Sequence, residues 1–360
     1  MKKNLVQLDR VLAGIVLALS FFGVLMVYDS SVAIAIRDFG NQYYYMREQL
    51  KWLGVGLVAM TIFARIDYHV WRAMALPAVL GVMVLLLAVF IPGFGIRALG
   101  AHRWLNFGFF VLQPGELAKF VLIVYLAAWL GRKEKDQLGA FLLLTGSIFG
   151  LVILEPDLGT GVVIVGTACI MYYLCGAPGK HFALLVPVII TGIVILAFAS
   201  PYRLRRLTTF ADPNSDPLGA SYQIRQVLLS FGSGGLTGVG IGKSRQKYEY
   251  LPEANTDSIF AIIGEETGFV GTTLVIAAFS VFVWRAFLIA SRAPDTFGML
   301  LSSGVASWVG IQSILNIGAM TSVVPLTGIP LPFISYGGSS LVVLFAASGM
   351  VLNISRQRKP

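Results

Sequence analysis

The sequence predicts an all-α integral membrane protein with about ten transmembrane helices and one long extracytoplasmic loop between helices 7 and 8. Three observations lead to this fold class. Of 360 residues, 56% are hydrophobic and 12% are charged, and the mean hydropathy is +0.78, which is more apolar surface than a soluble domain can bury. Apolar segments long enough to cross a bilayer recur along the chain. One long polar connection, residues 201–256, interrupts them.

The apolar segments set the order of the helices. Each approaches the roughly 20 residues that a transmembrane helix needs, and they lie near 11–30, 50–64, 73–92, 113–131, 138–154, 158–176, 181–200, 257–287, 297–320 and 337–355. The first follows Lys2 and Lys3 as in a signal peptide, but it is long enough to span and more spans follow, so we expect it to stay uncleaved. Residues 1–360 are expected to form a single polytopic domain that includes the loop 201–256.

The distribution of basic residues predicts the orientation. If the N-terminus is inside, the inner segments carry fourteen Lys and Arg residues and the short outer segments carry five. Because Lys and Arg accumulate in short cytoplasmic loops, we expect both termini in the cytoplasm. Cys169 and Cys175 lie in one apolar segment, so neither a disulfide framework nor a soft-metal site is indicated.

The loop 201–256 is expected outside, and it carries seven basic residues against four acidic ones. Long loops do not have to follow the charge bias, so a merely solvated loop is one interpretation. The other is that it attracts an anionic, phosphate-bearing ligand at the outer leaflet. Within it, SYQIRQVLLSFG (221–232) has an apolar stripe at helical spacing, which predicts a short helix in the membrane interface.

The glycine-rich stretch GSGGLTGVGIGKSRQK (232–247) ends like a phosphate-binding P-loop. Thr237 stands where that motif needs its first glycine, and the loop is expected outside, where ATP is absent, so a nucleotide site is excluded. Glycines still let backbone N–H groups approach a phosphate closely, and Lys243, Arg245 and Lys247 follow. A pyrophosphate-binding segment and a merely flexible loop both remain open.

A charged pair is predicted inside the fourth span. In QPGELAKF, Glu116 and Lys119 are three residues apart and share one helix face. Because charges are costly in lipid, the pair should face the bundle interior or a wet cavity, either as part of a site or as an ion pair that fixes helix packing. On the same side, GAHRWLNFG supplies Arg103 for an anion and Trp104 for the membrane interface.

Two further segments lie between spans. EPDLGTG places Glu155 and Asp157 in a tight turn, where helix capping accounts for Asp157. PLTGIPLPFISYGGSS (325–340) contains three prolines and two adjacent glycines and cannot form a continuous helix. Non-helical backbone at membrane depth is tolerated where it lines a cavity, so this segment is expected to form the wall of a site.

Four carboxylates lie close together in LPEANTDSIFAIIGEETG (251–268): Glu253, Asp257, Glu265 and Glu266. Asn255 or Thr256 is expected to cap the eighth span, with Asp257 in its first turn. Stabilisation of the helix N-terminus is one explanation for that aspartate. Positions 257 and 265 share a helix face, so their two side chains could also line one cavity.

Together these motifs resemble the SEDS family of bacterial cell-wall proteins. The most specific are YLPEANTDSIFAIIGEETG, FADPNSDPLGASYQIRQ and GIPLPFISYGGSSL, and the resemblance extends over most of the chain. GSGGLTGVGIGKSRQK is similar to the division branch, FtsW, whereas PLTGIPLP is closer to the elongation branch, RodA. We favour the division branch.

The resemblance implies a ten-span glycosyltransferase of the bacterial cytoplasmic membrane that polymerises lipid II into peptidoglycan at the outer face, for cell division. Asp257 matches the family's essential aspartate. Other positions match residues that line the cavity beside it: Arg103, Trp104, Glu116 and Lys119. Two positions depart from the family pattern, because Asn255 stands where His is usual and Gly115 where Ser is usual. The first departure leaves Asp257 as the stronger candidate for proton transfer.

The mechanism expected from these residues is an inverting transfer. Asp257 would take the proton of the acceptor's 4-hydroxyl, while the basic residues Arg103, Lys243, Arg245 and Lys119 would stabilise the leaving pyrophosphate. Glu253 would bind or position substrate, and Glu265, Glu266 and Asp157 would support the site. The sequence leaves open whether a metal takes part; Asp257 and Glu253 would suit Mg²⁺ or Mn²⁺.

Partners and alternatives follow from the same resemblance. The expected partners are lipid II, the growing glycan strand, a class B penicillin-binding protein that acts as transpeptidase, other division proteins and membrane lipid, without nucleic acid. A lipid II transporter, or flippase, would also use intramembrane charges and broken helices. A non-enzymatic division scaffold would not need Asp257, Glu116 and Lys119 to converge.

Overall fold

The computed structural model describes residues 8–98, 101–108, 110–132, 137–198, 201–212, 219 and 221–357. Several basic residues counted toward the orientation lie outside the described residues: Lys2, Lys3, Lys133, Lys135, Arg358 and Lys359. Residues 213–218 and 220, in the family motif that begins at Phe210, lie outside them too.

Helices dominate the described part of the chain. They are α1 (Arg10–Phe39), α2 (Tyr44–Arg65), α3 (His69–Ala88), α4 (Pro114–Leu130), α5 (Leu138–Leu154), α6 (Leu158–Leu174), α7 (Gly179–Phe198), α8 (Pro201–Ala211), α9 (Tyr222–Gly234), α10 (Ile259–Ser291), α11 (Thr296–Met320) and α12 (Gly338–Gln357). Each apolar segment predicted as a span is helical. Among the described residues, six helices are long and apolar enough to cross a membrane, α1, α3, α7, α10, α11 and α12, and α5 and α6 are shorter apolar helices. The protein is therefore a helical membrane protein.

A small sheet corrects the all-α prediction. Strands β1 (Gly95–Ala98), β2 (Ala101–Asn106) and β3 (Val111–Leu112) form an antiparallel sheet in that order, between α3 and α4. The backbone groups of this connection pair with one another between its strands. At one turn Gly108 has φ +84° and donates its N–H to Asn106 Oδ1 at 2.8 Å. Arg103 and Trp104 thus lie on a strand.

The described residues of the loop 201–256 contain two helices. Helix α9 is the short helix predicted from the apolar stripe of 221–232. Helix α8, with the sequence PYRLRRLTTFA, was not predicted, because this segment is basic and has too few apolar residues to show a helical pattern. These helices bring the loop against the end of α10 and the non-helical segment before α12.

Close backbone packing holds the spans together. A Cβ at Gly349 of α12 would lie 2.5 Å from the Met60 carbonyl of α2, and a Cβ at Gly23 of α1 would lie 2.6 Å from the Phe333 carbonyl. Small residues allow such contacts between membrane helices. The segment 321–337 is non-helical, as predicted, and is buried around Ile334, which is 0% exposed.

Candidate functional site

Asp257 lies just before α10 rather than in its first turn. The helix begins at Ile259 with Ser258 at the N-cap position, which corrects the expected cap at Asn255 or Thr256. The reason is tertiary. In the segment before α12, Tyr336 N–H donates to the Asn255 carbonyl and Ser335 Oγ donates to the Thr256 carbonyl. These bonds hold the chain in turns up to Ser258.

The backbone around Asp257 is fixed from several elements. Asn316 of α11 donates its Nδ2 hydrogens to the Asp257 carbonyl at 2.9 Å and to the Ile329 carbonyl at 2.7 Å. Ser335 Oγ donates to the Thr256 carbonyl at 2.7 Å. Asn316 is 1% exposed, so the side chain that holds the Asp257 carbonyl is itself buried. The non-helical segment is thereby bonded to Thr256, the neighbour of Asp257, and Asn316 bridges it to Asp257 itself.

The charge environment of Asp257 favours its protonated form. Burial first, and then the negative charge of Glu253, raise the pKa of Asp257 to about 7, while Arg206 opposes them. Smaller effects come from Asp157, which raises this pKa, and from Arg103, which lowers it. Among the described residues no side chain donates a hydrogen bond to the carboxylate. A carboxylate with this pKa can accept and release a proton near neutral pH.

Arg206 of α8 was not anticipated as a site residue. Its Nη1 donates to the Leu326 carbonyl at 2.8 Å, which places the guanidinium beside Gly328 and near Asp257. The only local signal was a run of arginines in a loop that was already predicted to be basic. Its position depends on contacts with a segment about 120 residues away along the chain, since Arg206 and Leu326 are that far apart.

Glu116 and Lys119 form the intramembrane pair that the sequence predicted. Lys119 Nζ is 2.7 Å from Glu116 Oε1 and 2.8 Å from Gln312 Oε1, and it lies 5.2 Å from the centre of the Trp308 ring. Both charged side chains are 1% exposed. Gln312, which the sequence did not single out, also donates to the Pro330 carbonyl at 2.8 Å. The ion pair therefore supports the same wall that holds Asp257.

Arg103 and Asp157 meet at the turn between α5 and α6. Arg103 Nε donates to the Glu155 carbonyl at 3.1 Å and Nη2 donates to the Pro156 carbonyl. Asp157 caps α6, accepting from Thr160 N–H at 3.0 Å and from its hydroxyl at 2.9 Å, as the capping interpretation predicted. Trp104, next to Arg103 on β2, is half-buried.

Glu265 and Glu266 bind the glycine-rich segment. Glu266 accepts the N–H groups of Gly242 and Ser244, both at 3.0 Å. Glu265 accepts the N–H of Arg245 at 3.1 Å and that of Gln246 at 3.4 Å, and it also accepts the Ser244 hydroxyl. The carboxylate of Glu265 is thus turned to the loop, which corrects the expectation that it shares a cavity with Asp257.

The glycines of this segment allow close contact with α10. Gly238, at φ +79°, has no room for a Cβ beside the Glu266 carbonyl, and Val239 N–H donates to the Glu265 carbonyl at 3.0 Å. Lys247 Nζ then pairs with Asp29 of α1 at 2.7 Å and with Glu266 at 3.2 Å. The backbone donors expected to face a phosphate are bonded to the protein's own carboxylates. The side chains of Lys243 and Arg245 point outward and are exposed.

Glu253 is the second carboxylate beside Asp257. It is exposed, has φ +52° and accepts the Thr256 hydroxyl at 2.7 Å. No group of three or more His, Cys, Asp or Glu side chains suited to a metal occurs in the part of the chain that the structure describes. The donors available to a cation here are therefore these two carboxylates, and Mg²⁺ is commonly held by one or two carboxylates together with substrate phosphates.

Comparisons with known proteins agree in sequence and in fold. The chain is 41% identical to Stage V sporulation protein E of Bacillus subtilis over 97% of both chains, and 40% identical to the probable peptidoglycan glycosyltransferase FtsW of Coxiella burnetii over 94% of both. It superposes with a TM-score of 0.79 and 27% identity on a chain from a peptidoglycan synthase complex that coordinates polymerization and crosslinking, with 98% of each chain covered. The rod shape determining protein RodA of Thermus thermophilus gives 0.73 and 26%, with 99% of each chain covered.

A family model described as cell cycle protein, which covers FtsW, RodA and SpoVE, matches residues 9–360. Two of these names, FtsW and RodA, are the branches that the motifs of the loop 201–256 and of the segment before α12 resemble. The chain therefore belongs to the FtsW/RodA/SpoVE family.

Proposed function

We propose that this protein is a peptidoglycan glycosyltransferase of the FtsW type, which polymerises lipid II into glycan strands during cell division. Relatives of this name are 37–40% identical to it over nearly the whole chain. The observation that carries the proposal is Asp257. This half-buried carboxylate has a pKa of about 7 and lies where three parts of the fold meet.

Asp257 acts as the general base. It takes the proton from the 4-hydroxyl of the acceptor sugar as that oxygen attacks the anomeric carbon of the donor. Attack opposite the axial pyrophosphate inverts the configuration and gives a β-linkage. A base with a pKa near the working pH balances two needs, because it is largely deprotonated yet still basic enough to accept a proton.

The leaving pyrophosphate carries the charge that the site must stabilise. Arg103 lies close enough to Asp257 to lower its pKa, and Lys243 and Arg245 present exposed cationic groups from the loop. Charge-assisted contacts to phosphate oxygens from these three residues would favour departure of the leaving group. Trp104 adds an aromatic surface for the lipid or sugar next to Arg103.

Glu116 and Lys119 affect substrate binding indirectly, because they hold the wall of the site in place. Their charges pair at 2.7 Å, and Gln312 connects the pair to Pro330. A fixed, neutralised pair of this kind sets the shape of the cavity without a net charge. Glu265, Glu266 and Asp157 have the structural roles that their hydrogen bonds indicate.

A divalent metal is compatible with the donors at the site. Asp257 and Glu253 are oxygen ligands of the kind that Mg²⁺ and Mn²⁺ prefer, and a cation bound there would neutralise charge on the leaving pyrophosphate. Polymerisation that survives thorough treatment with a chelator would exclude this part of the proposal.

The proposed topology is a single ten-span domain in the bacterial cytoplasmic membrane with both termini in the cytoplasm. Residues 201–256, including α8 and α9, would then form the extracytoplasmic loop. Single cysteines at Lys243 and Lys180, placed in a chain without Cys169 and Cys175, provide a test. Impermeant thiol reagents should label position 243, and not position 180, from outside intact cells.

The proposed partner is a class B penicillin-binding protein, with other division proteins around the pair. A structural neighbour belongs to a synthase complex that coordinates polymerization and crosslinking, which supports such an assembly. Affinity purification from native membranes should recover the transpeptidase. Repeated recovery of the chain alone with full activity would contradict this part of the proposal.

The function itself is tested with the full chain in liposomes that contain labelled lipid II. Glycan chains of several disaccharides are the expected product, and lysozyme-type digestion should return them to short fragments. If labelled lipid II only moves between leaflets and no polymer forms, either alone or with the transpeptidase, the protein is a transporter instead.

A further inference from the structure

Four aromatic side chains form a continuous row that starts in the segment before α12 and ends at the C-terminal end of α1. Tyr336 contacts Tyr45 edge to face, with ring centroids 5.1 Å apart. Tyr45 contacts Tyr44 in the same way at 5.4 Å, and Tyr44 stacks on Phe39 at 3.6 Å. We call these four residues, which come from three parts of the chain, the aromatic row.

The inner end of the row is attached next to Asp257. Tyr336 N–H donates to the Asn255 carbonyl at 2.9 Å, two residues before Asp257. Gln49, which follows the two tyrosines of the row on α2 and is 0% exposed, donates its Nε2 hydrogen to the Ser335 carbonyl at 3.3 Å. These bonds hold the start of α2 against the segment before α12, so the row begins at the candidate site.

The other end of the row is open. Phe39 is 47% exposed, and the three tyrosines are half-buried. In the part of the chain that the structure describes, the hydroxyls of Tyr45 and Tyr336 have no hydrogen-bond partner. A ligand that lies along the row would therefore meet both aromatic ring surface and free hydroxyl groups.

The charges around the row indicate which kind of ligand it suits. The described charged groups that act on the Tyr45 hydroxyl are two acids, Asp38 and Glu253, and one base, Arg37. Arg37 is itself paired with Asp38 at 2.7 Å and with Glu249 at 2.8 Å. A surface with this balance does not attract a pyrophosphate or a phosphate-bearing headgroup, so an uncharged ligand fits it better.

A sugar ring has the properties that such a surface recognises. Its faces carry C–H groups and its edge carries hydroxyls. The face of an aromatic ring is negative and attracts the C–H face of a sugar, while a tyrosine hydroxyl can donate to and accept from the sugar hydroxyls. The spacings of 5.1 and 5.4 Å along the row are similar to the length of one hexose ring, so neighbouring tyrosines can contact neighbouring sugars.

We propose that the aromatic row binds the glycan strand that the proposed reaction produces. The inference rests on the proposed function and adds a binding site for the product to it. The sugars next to the reacting pair lie along the row, from Tyr336 beside the site toward Phe39. The row makes and breaks no covalent bond. It holds the strand between successive transfers, and thereby determines how many disaccharides are added before the strand is released.

A role at the membrane interface is the alternative for these rings, because aromatic residues also collect where a bilayer meets water. Rings with that role act singly and face lipid. The rings of the row contact one another, and the inner end lies against the candidate site. Tyr43 in the same turn offers a comparison, since it is 40% exposed and stacks on Tyr28 at 5.5 Å, outside the row.

The test is the length of the glycan that the full chain makes from labelled lipid II in liposomes, measured together with the initial rate of lipid II consumption. Tyr44→Leu removes one ring of the row and keeps an apolar side chain. Loss of one stacked ring should weaken strand binding about three- to tenfold. The mean chain length should fall by a similar factor while the initial rate stays near that of the wild type. Tyr44→Phe keeps the ring and should restore most of the length.

Tyr43→Leu is the matched control. It removes an exposed tyrosine from the same turn and leaves the row intact. Its products should have the wild-type length. Equal shortening by Tyr43→Leu and Tyr44→Leu would mean that these rings anchor the protein in the membrane interface, which would overturn the assignment to the row.

Binding is measured directly with a soluble hexamer of β-1,4-linked N-acetylglucosamine, which has the sugar backbone without lipid, peptide or pyrophosphate. The protein is placed in nanodiscs, because a detergent with a sugar headgroup would compete. Saturation-transfer NMR should detect the hexamer on the wild type, and the dissociation constant should rise about three- to tenfold in Tyr44→Leu. An equal dissociation constant in both proteins, or no binding to the wild type, would overturn the inference.

Two further outcomes would contradict it. One is glycan of unchanged length from a folded Tyr44→Leu variant. The other is unchanged length together with a raised half-saturating concentration of lipid II, which would mean that the row contacts the incoming substrate rather than the strand. Should Tyr44→Leu fail to fold, Phe39→Leu serves instead, because Phe39 is exposed, and the same shortening is expected.

The proposed function can fail separately. If the wild type makes no polymer but binds the hexamer, and Tyr44→Leu weakens this binding, the proposed function is wrong and the row still binds glycan. If the wild type polymerises lipid II and Asp257→Asn does not, while variants of the row make chains of full length, only the assignment of the row is wrong.

Discussion

Asp257 lies within ten residues of Glu265 and Glu266, yet the hydrogen bonds that these carboxylates accept are very different. The two glutamates together accept four backbone N–H groups, a hydroxyl and a lysine. In the described structure the carboxylate of Asp257 accepts no side-chain hydrogen bond, although its backbone carbonyl is held by Asn316. A carboxylate that accepts hydrogen bonds at both oxygens has a structural role. A carboxylate whose backbone is fixed but whose negative charge is poorly compensated can exchange a proton.

The largest effect should come from disrupting the buried charge cluster around Glu266. Lys247→Met leaves Asp29 and Glu266 buried without their cation, and removing one partner of a buried ion pair costs about 3–5 kcal/mol. Thermal unfolding in detergent should show a fall in Tm of many degrees. The control is Lys51→Met, which breaks an exposed pair with Glu48 worth about 1 kcal/mol or less. Equal losses in both variants would contradict the assignment of a structural role to the buried cluster.

In contrast to Lys247→Met, Asp257→Asn should lower the polymerisation rate strongly and change the stability little. The polymerisation rate is expected to fall by about 100-fold or more, the scale of a lost general base, which corresponds to about 2.7 kcal/mol. The free energy of unfolding should change by about 1 kcal/mol or less, because the carboxylate makes no side-chain hydrogen bond with the described residues. Rates and unfolding are measured on one preparation, and near-normal polymerisation by a folded variant would remove Asp257 from the mechanism.

The pH profile sharpens the same prediction. As the proposed base, Asp257 would act only when it is deprotonated, and burial raises its pKa to about 7. The wild-type rate should therefore rise about tenfold per pH unit below 7 and level off above it. A rate that is flat from pH 5.5 to 8.5 while the protein stays folded would argue against this base.

Residues of the glycine-rich loop should have a smaller effect, on substrate affinity. Replacing both Lys243 and Arg245 with Gln removes two exposed charges while the backbone bonds to Glu265 and Glu266 remain. The half-saturating concentration of lipid II should rise by roughly tenfold, near 1.4 kcal/mol, with little change in the maximal rate. Unchanged concentration dependence in the double variant would remove both residues from the pyrophosphate site.

The smallest effect is expected for Glu253→Gln. Glu253 is exposed and influences Asp257 through charge, so the maximal rate above pH 8 should change by less than about fivefold. A loss as large as that of Asp257→Asn would instead place Glu253 directly in the chemistry, as a metal ligand or as the base. Titration with Mg²⁺ would separate these two roles.

The sequence predicted the long apolar helices because each requires a long apolar segment, a property that is local, whereas it missed the polar helix α8. It also predicted the Glu116–Lys119 pair, since a spacing of three fixes a shared helix face. The start of α10 was wrong, because the capping preference of Asn255 and Thr256 was overruled by bonds from Ser335 and Tyr336. Those contacts connect residues about 80 positions apart, and no local pattern contains them.

The same reason explains which site residues were missed. Arg206, Asn316 and Gln312 act through contacts with residues 120, 59 and 193 positions away, and each has an ordinary local context. The glycine-rich loop shows a different limit. Its pattern indicated backbone that can approach a phosphate, and the anions with which it is bonded in the structure are Glu265 and Glu266, carboxylates of the chain itself. Composition reveals the kind of ligand that a backbone can accept, while the fold determines which one it receives.

The non-helical point at Gly268 has a mechanical consequence. Gly268 has φ +65° and ψ −162°, so α10 consists of two rods joined at that residue. The first rod, which begins just after Asp257, is bonded to the loop through Val239 and Gly240, while Phe269 and Val270 beyond the joint donate to Gly235 and Leu236. The loop is thus bonded to both rods across the joint. A displacement of the loop would therefore be transmitted to the rod that begins just after Asp257.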